Sequence, residues 1–262
     1  MWKEALFGAE LLLLHASPVF YGLGVPVGDG SAVVVVPGFL GSDVYMTHLS
    51  SWLRRIGYRA YVSGIPLNAD CPNLLIKYLL DEVVDRARRQ TRRKVHLIGH
   101  SLGGVMARSV AAQRPEDVAS VITLGAPFRG TVLHHTVMRV ASAVRQHIIR
   151  LHGREVLPEC YTARCTCDFV SSLKCEMAEQ VAETAIYTRD DGIADFRYCR
   201  TGDRTIDFEV SGTHVGLVFN PAVYAIVAQR LAEARGEGRR GSVSGRTASG
   251  ASRGRDSSAR RQ

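Results

Sequence analysis

Apolar residues follow two rhythms along this chain. Short runs at Ala32 to Val36, Tyr58 to Val62, Val95 to Ile98, Val118 to Leu124 and Thr184 to Tyr187 are rich in Val and Ile. Runs of this length and type suit strands buried on both faces. Between them the spacing becomes helical: Leu49, Trp52, Leu53 and Ile56 within Val44 to Ile56, then Leu75, Leu79, Leu80, Val83 and Val84 within Leu74 to Arg88. Ser42 or Asp43 is available to cap the first of these helices, and Gly57 closes it. A third helix is predicted from Val105 to Ala112, stopped by Pro115, and a closing one from Pro221 to Ala234 after a last strand over Thr205 to Val210. Strands alternating with helices predict a mostly parallel central sheet with helices on both faces and right-handed crossovers.

Three stretches break the rhythm. Residues 1–30 read as an apolar helix followed by a Gly/Pro-rich connector. Residues 131–180 interrupt the alternation with a basic helix, a cysteine-rich loop and a short helix near Cys175 to Val181, the expected place for a lid or cap. Residues 235–262 turn to Gly, Ser and Arg with almost no apolar residue, so burial cannot offset their ordering entropy and a disordered tail is expected. The main domain therefore spans 31–234.

The strand from Lys94 runs into Gly99-His100-Ser101-Leu102-Gly103-Gly104, a G-x-S-x-G turn that leads straight into a helix. Strand, tight turn and helix are the context of a nucleophile elbow. The serine of such a turn points outward from a strained bend, and its flanking positions must be nearly free of side chains so that strand and helix can approach.

These residues carry a resemblance. Gly99 to Gly104 resembles the elbow of α/β-hydrolase lipases and esterases, and Val33-Val34-Val35-Val36-Pro37-Gly38-Phe39-Leu40-Gly41 resembles their oxyanion strand and loop. Pro18 to Gly22, Gly28-Asp29-Gly30, Asn68-Ala69-Asp70-Cys71, Asp191-Gly192-Ile193 and His214-Val215-Gly216 are similar to a group of actinobacterial-type lipase/esterase proteins. The resemblance runs from about Trp2 to Leu231. It implies an α/β-hydrolase fold with a lid or cap insertion, and serine-dependent cleavage of carboxylic esters.

An alcohol is a poor nucleophile at neutral pH, so Ser101 needs a base, and the base needs an acid to orient it. In this superfamily the chain order is serine, acid, histidine. Of nine histidines, His214 alone lies beyond every acid-bearing loop, directly after the last strand. His100 adjoins Ser101 and is expected to serve packing and loop support. Asp190, Asp191 and Asp195 all follow the strand ending at Tyr187. Asp191, heading Asp-Gly-Ile, is the one that resembles the family's acid. The resemblance also implies an oxyanion hole from the backbone N–H groups of Leu102 and Phe39. Relatives often carry His-Gly where this chain has Pro37-Gly38, a change that leaves the Phe39 N–H in place.

Charge and cysteine content alter this picture little. The formal net charge is +8, but residues 235–262 hold eight arginines against Glu237 and Asp256, which leaves only +2 on the body. That tail contains no aromatic residue for base stacking, so no specific nucleic-acid partner is expected. No run reaches the ~18 to 20 apolar residues of a membrane span. Glu4 and Glu10 interrupt the first apolar stretch, so it reads as a helix on the body and not as a cleaved leader. A cytoplasmic location is the expectation. Six cysteines include a cluster of Cys160, Cys165, Cys167 and Cys175, which reads as disulfides or plain thiols; a structural zinc site is the alternative, although paired C-x-x-C arms are lacking.

The expected function is carboxylic-ester hydrolysis through an acyl-serine, with no cofactor and no metal. The expected substrate is an acyl ester or lipid held between the core and the insertion, where Val132, Leu133, Val137, Met138, Val140, Ile148 and Ile149 could line it. Contact with a lipid interface is compatible with such a substrate. An acyltransferase or thioesterase using the same triad is the rival reading. A non-catalytic basic protein binding through its tail is the rival from another class.

Overall fold

Strand β1, Ala32–Val36, divides the molecule in two. Its odd-numbered residues Val33 and Val35 point to one face, and Ala32, Val34 and Val36 to the other; all five are fully buried. The computed structural model describes residues 7–130, 135–152 and 166–244. The sheet is completed by β2 (Arg59–Val62), β3 (Val95–His100), β4 (Val118–Leu124), β5 (Ala182–Tyr187) and β6 (Asp207–Glu209). Their order is β2-β1-β3-β4-β5-β6 and every neighbouring pair is parallel.

One face is covered by α1 (Phe7–Ala16), α2 (Thr47–Arg55) and α8 (Pro221–Ser244). Leu14, Leu49, Trp52, Leu53, Tyr224 and Leu231 are buried there against Val33, Val35, Ile98 and Ile122. Trp52 Nε1 donates to the Val19 carbonyl at 2.8 Å, so the indole is buried with its one donor satisfied. The other face is covered by α3 (Pro72–Leu75), a π-helical turn Ile76–Leu80, α4 (Asp81–Thr91) and α5 (Leu102–Gln113). Each fully buried side chain of this size contributes about 1.5–3 kcal/mol, so both layers are held on by their apolar stripes.

The structure departs from the sequence expectations in three places. Neither Ser42 nor Asp43 caps α2, whose N-cap is Met46. The Asp43 carboxylate instead accepts from Ser63 N, Ser63 Oγ and Gly64 N, tying the start of α2 to the end of β2. Second, the short helix expected near Cys175 to Val181 lies earlier, as α7 (Asp168–Ser172). Phe169 and Val170 sink into the core beside α5, and Ser172 Oγ lies 2.8 Å from Ser109 Oγ. This part of the expected 131–180 cap is therefore part of the body. The described remainder is α6 (His135–His152), whose Ala141 is buried while Arg139, Val140, Gln146 and His147 are exposed. Residues 131–134 and 153–165, with Val132, Leu133, Cys160 and Cys165, lie outside the described residues, as do the side chains of Val137, Met138, Ile148 and Ile149. Cys175 and Cys199 are free thiols.

Third, α8 continues to Ser244, ten residues beyond the boundary set from composition. Asn220 Oδ1 caps its start by accepting from Ala222 N at 2.8 Å. Once nucleated, a helix adds one hydrogen bond per residue, and Ala, Glu and Arg from Ala232 to Arg240 are good formers that offset the glycines among them. The tail from 245 onward lies outside the described residues. No helix among the described residues is long and apolar enough to cross a membrane.

Candidate active site

β3 ends at His100, and the chain turns through Ser101 before α5 starts at Leu102. Ser101 has φ 53° and ψ −125°, a conformation that costs an L residue strain of order 1–3 kcal/mol. The turn is held from outside: Ser101 N donates to the Leu124 carbonyl at 2.8 Å, at the end of β4. The tightness explains the glycines. A Cβ on Gly99 would lie 2.3 Å from the Gly103 carbonyl oxygen, and one on Gly103 2.3 Å from that of Pro37. Strand, helix and the loop after β1 thus meet at backbone distance around Ser101.

The segment after β6 carries His214. Its ring is nearly fully buried, and Nδ1 lies 2.6 Å from Asp191 Oδ2. Asp191 sits in the turn after β5, and its other oxygen, Oδ1, accepts from Ile193 N at 2.8 Å and Ala194 N at 2.7 Å. Three donors converge on one carboxylate, which fixes its rotamer. Of the other two candidate acids, Asp190 is exposed, and Asp195 caps the 3-10 turn Phe196–Tyr198 and pairs with Arg197. A Cβ on Gly125, next to the Leu124 carbonyl that holds Ser101, would lie 3.2 Å from His214 Nδ1. The strands therefore deliver Ser101, Asp191 and His214 to the same, C-terminal edge of the sheet.

The backbone around His214 is held carbonyl by carbonyl. Ser211 O accepts from Asn220 Nδ2, Gly212 O from Thr188 Oγ1, Thr213 O from Leu217 N, His214 O from His100 Nε2 and Val215 O from Tyr45 Oη. His100 thus supports the loop by one hydrogen bond of 2.9 Å. Burial is the larger cause, and the neighbouring His214 the next, that push its pKa down to about 3. A carbonyl can only accept, so Nε2 carries the proton of this ring.

The loop after β1 approaches the elbow from the other side. A Cβ on Gly38 would lie 3.0 Å from Ser101 Cβ. Phe39 follows, and Leu40 has φ 59°. Leu102 opens α5, so its N–H has no acceptor within the helix. These are the two N–H groups expected to face an oxyanion. Among the described residues, no group of three or more His, Cys, Asp or Glu side chains could hold a metal ion.

Known proteins are similar to this chain in sequence and in fold. Residues 63–155 match the model of the PGAP1-like alpha/beta domain family. The chain is 30% identical to a triacylglycerol lipase of Burkholderia plantarii over 219 residues, 76% of this chain and 60% of that lipase. It therefore spans about three fifths of that relative's length. Among solved structures, a soluble variant of monoglyceride lipase from Saccharomyces cerevisiae superposes with a TM-score of 0.52 at 14% identity, covering 80% of this chain and 90% of that one. MGS-MChE2, an alpha/beta hydrolase from a lagoon-sediment metagenome, gives 0.51 at 16%, covering 80% and 93%.

The chain has the α/β-hydrolase fold. The sequence pointed to Ser101, Asp191 and His214 as candidates, and the structure brings them to one edge of the sheet; no role was assigned from sequence to Tyr45 or Thr188. Each contacts the His214 loop across a long stretch of chain, 170 residues for Tyr45, which no local pattern announces.

Proposed function

We propose that this α/β hydrolase cleaves carboxylic esters through an acyl-serine intermediate. The observation that carries the reading is the 2.6 Å bond from Asp191 to His214 Nδ1, set at the sheet edge where strain presents Ser101. In the proposed reaction Ser101 Oγ attacks the ester carbonyl carbon while His214 Nε2 takes its proton. Asp191 holds the imidazole in one tautomer and stabilises the imidazolium without taking the proton itself. The tetrahedral oxyanion is met by the N–H groups of Phe39 and Leu102. Collapse breaks the bond to the leaving alcohol, which receives the proton from His214. Water, deprotonated by His214, then attacks the acyl-Ser101 carbonyl; collapse breaks the acyl–Oγ bond, releases the carboxylic acid and returns the proton from His214 to Ser101 Oγ.

The similarity to a triacylglycerol lipase favours a lipid ester. With an alcohol or thiol acceptor in place of water, the same steps give acyl transfer. The test is a panel of chromogenic acyl esters of increasing chain length, run on the wild type and on Ser101→Ala, with and without added acceptor alcohol. Turnover in the wild type that Ser101→Ala lacks supports the reading. Equal rates in both proteins overturn it.

A further inference from the structure

Glu10 lies in the apolar helix α1, where neighbouring Leu12 and Leu13 are exposed to solvent. Its carboxylate does not turn outward to water. Oε1 accepts from Thr213 N at 2.7 Å and Oε2 from Thr213 Oγ1 at 2.8 Å, across 203 residues of chain. Thr213 Oγ1 in turn accepts from Gly216 N at 3.0 Å. Thr213 and Gly216 bracket His214. A Cβ on Gly216 would lie 1.7 Å from Glu10 Oε2, so the carboxylate occupies space that only a glycine leaves open.

The division of labour in this loop is informative. Thr188, His100 and Tyr45 grip its carbonyls from the body of the domain. Both donors of Thr213 go to Glu10. A carboxylate loses hydration when it is buried against protein, and charge-assisted bonds to a backbone N–H and a hydroxyl offset that loss. We infer that Glu10 is a positioning residue for the candidate catalytic base: α1 reaches over the sheet edge, and its carboxylate sets the backbone from which the His214 ring is presented to Ser101. This rests on the proposed role of His214.

The test compares wild type, Glu10→Gln and Thr213→Val. Glu10→Gln keeps the size but turns one acceptor into a donor that faces Thr213. Thr213→Val removes the hydroxyl from the other side, with little change in volume. Each protein is treated with a fluorophosphonate, and both the rate constant and the final stoichiometry of Ser101 labelling are measured. Turnover of a short p-nitrophenyl ester is then expressed per labelled site. A displacement of about 1 Å in such a base costs about 10²-fold, so both variants should label and turn over about 10- to 100-fold more slowly. Stoichiometry should stay at one per chain and KM within about threefold. The double variant should lose less than the two single losses combined, because both disturb the bond between Thr213 Oγ1 and Glu10, while Thr213→Val also takes the acceptor from Gly216 N.

A purely structural role predicts the opposite split, fewer labelled sites at an unchanged rate per site, and that result overturns the inference. Unchanged rates in both folded variants overturn it as well. A wild type inert to the fluorophosphonate and to every ester instead overturns the hydrolase reading beneath it.

Discussion

Asp191 Oδ2 and His214 Nδ1 stand 2.6 Å apart with both side chains nearly sealed from water. The other oxygen of Asp191 is occupied by two backbone N–H groups, so the carboxylate cannot rotate away from the ring. A buried carboxylate bonded to Nδ1 leaves Nε2 as the proton-accepting nitrogen, the arrangement a general base needs.

Asp191→Asn should therefore leave the fold intact and lower kcat by about 10⁴-fold, the loss expected when the imidazole sits in the wrong tautomer. Asp190→Asn, at an exposed residue, and Asp195→Asn, whose carboxylate pairs with Arg197, should stay within a few-fold of wild type. Steady-state rates on one chromogenic ester separate the three. A large loss in Asp190→Asn with none in Asp191→Asn would overturn the assignment of the acid.

Gly125 has φ +55°, and a Cβ there would lie 2.9 Å from Leu217 Cδ1 and 3.2 Å from His214 Nδ1. Gly125→Ala should cost about 1–2 kcal/mol of backbone strain, seen as a Tm lower by a few degrees. It should also displace the His214 ring, lowering kcat more than it changes KM. Thermal unfolding and ester kinetics on the same preparation check both parts.

The elements most legible in the sequence are those whose information is local. The apolar runs of β1, β3 and β4 read directly, because strands buried on both faces carry apolar residues at most positions and not at every second one. The elbow reads from its glycines, because a Cβ on Gly99 or Gly103 would lie 2.3 Å from a backbone oxygen. Glu10, Tyr45 and Thr188 did not read, since what defines them is a partner far along the chain. Asp43 shows the same limit in the opposite sense. Its position suited a helix cap, yet three donors at Ser63 and Gly64 outbid the helix N-terminus for its carboxylate.

His96 lies fully inside β3, with Nδ1 2.8 Å from Ser120 Oγ, and burial pushes its pKa down to about 4. The unfolded chain titrates it near 6.5, so above that pH both states are neutral and the fold keeps its full stability. As pH falls from 6.5 towards 4 the unfolded state takes a proton that the folded state refuses, and stability drops. One such group contributes at most about 1.4 kcal/mol per pH unit. His100 acts in the same direction, down to about 3. His96→Gln should flatten the fall in unfolding free energy between pH 6.5 and 4, measured by urea denaturation. A slope equal to that of wild type would mean that His96 is not held neutral in the fold.

Asn68 is fully buried beneath the loop after β1 and binds it three times. Its Nδ2 donates to Pro37 O at 2.8 Å, its carbonyl accepts from Leu40 N at 2.9 Å, and its N–H donates to Gly41 O at 2.8 Å. The loop needs such bracing, because Leu40 at φ 59° is in a left-handed conformation costing about 1–2 kcal/mol. Asn68→Ala keeps the two backbone bonds and deletes the side-chain one, leaving the Pro37 carbonyl unpaired at a cost of about 1–3 kcal/mol. Pro37 immediately precedes Gly38 and Phe39, so relaxation there moves the Phe39 N–H away from the proposed oxyanion. Full loss of one such donor costs about 10²–10³-fold in turnover, which bounds the effect from above. Asn68→Ala should therefore lower kcat by at least tenfold within that bound, leave KM for a short ester nearly unchanged, and lower Tm by several degrees. A folded variant with reduced Tm and wild-type kcat would mean that the two backbone bonds alone fix the loop, and that the amide of Asn68 serves stability without shaping the site.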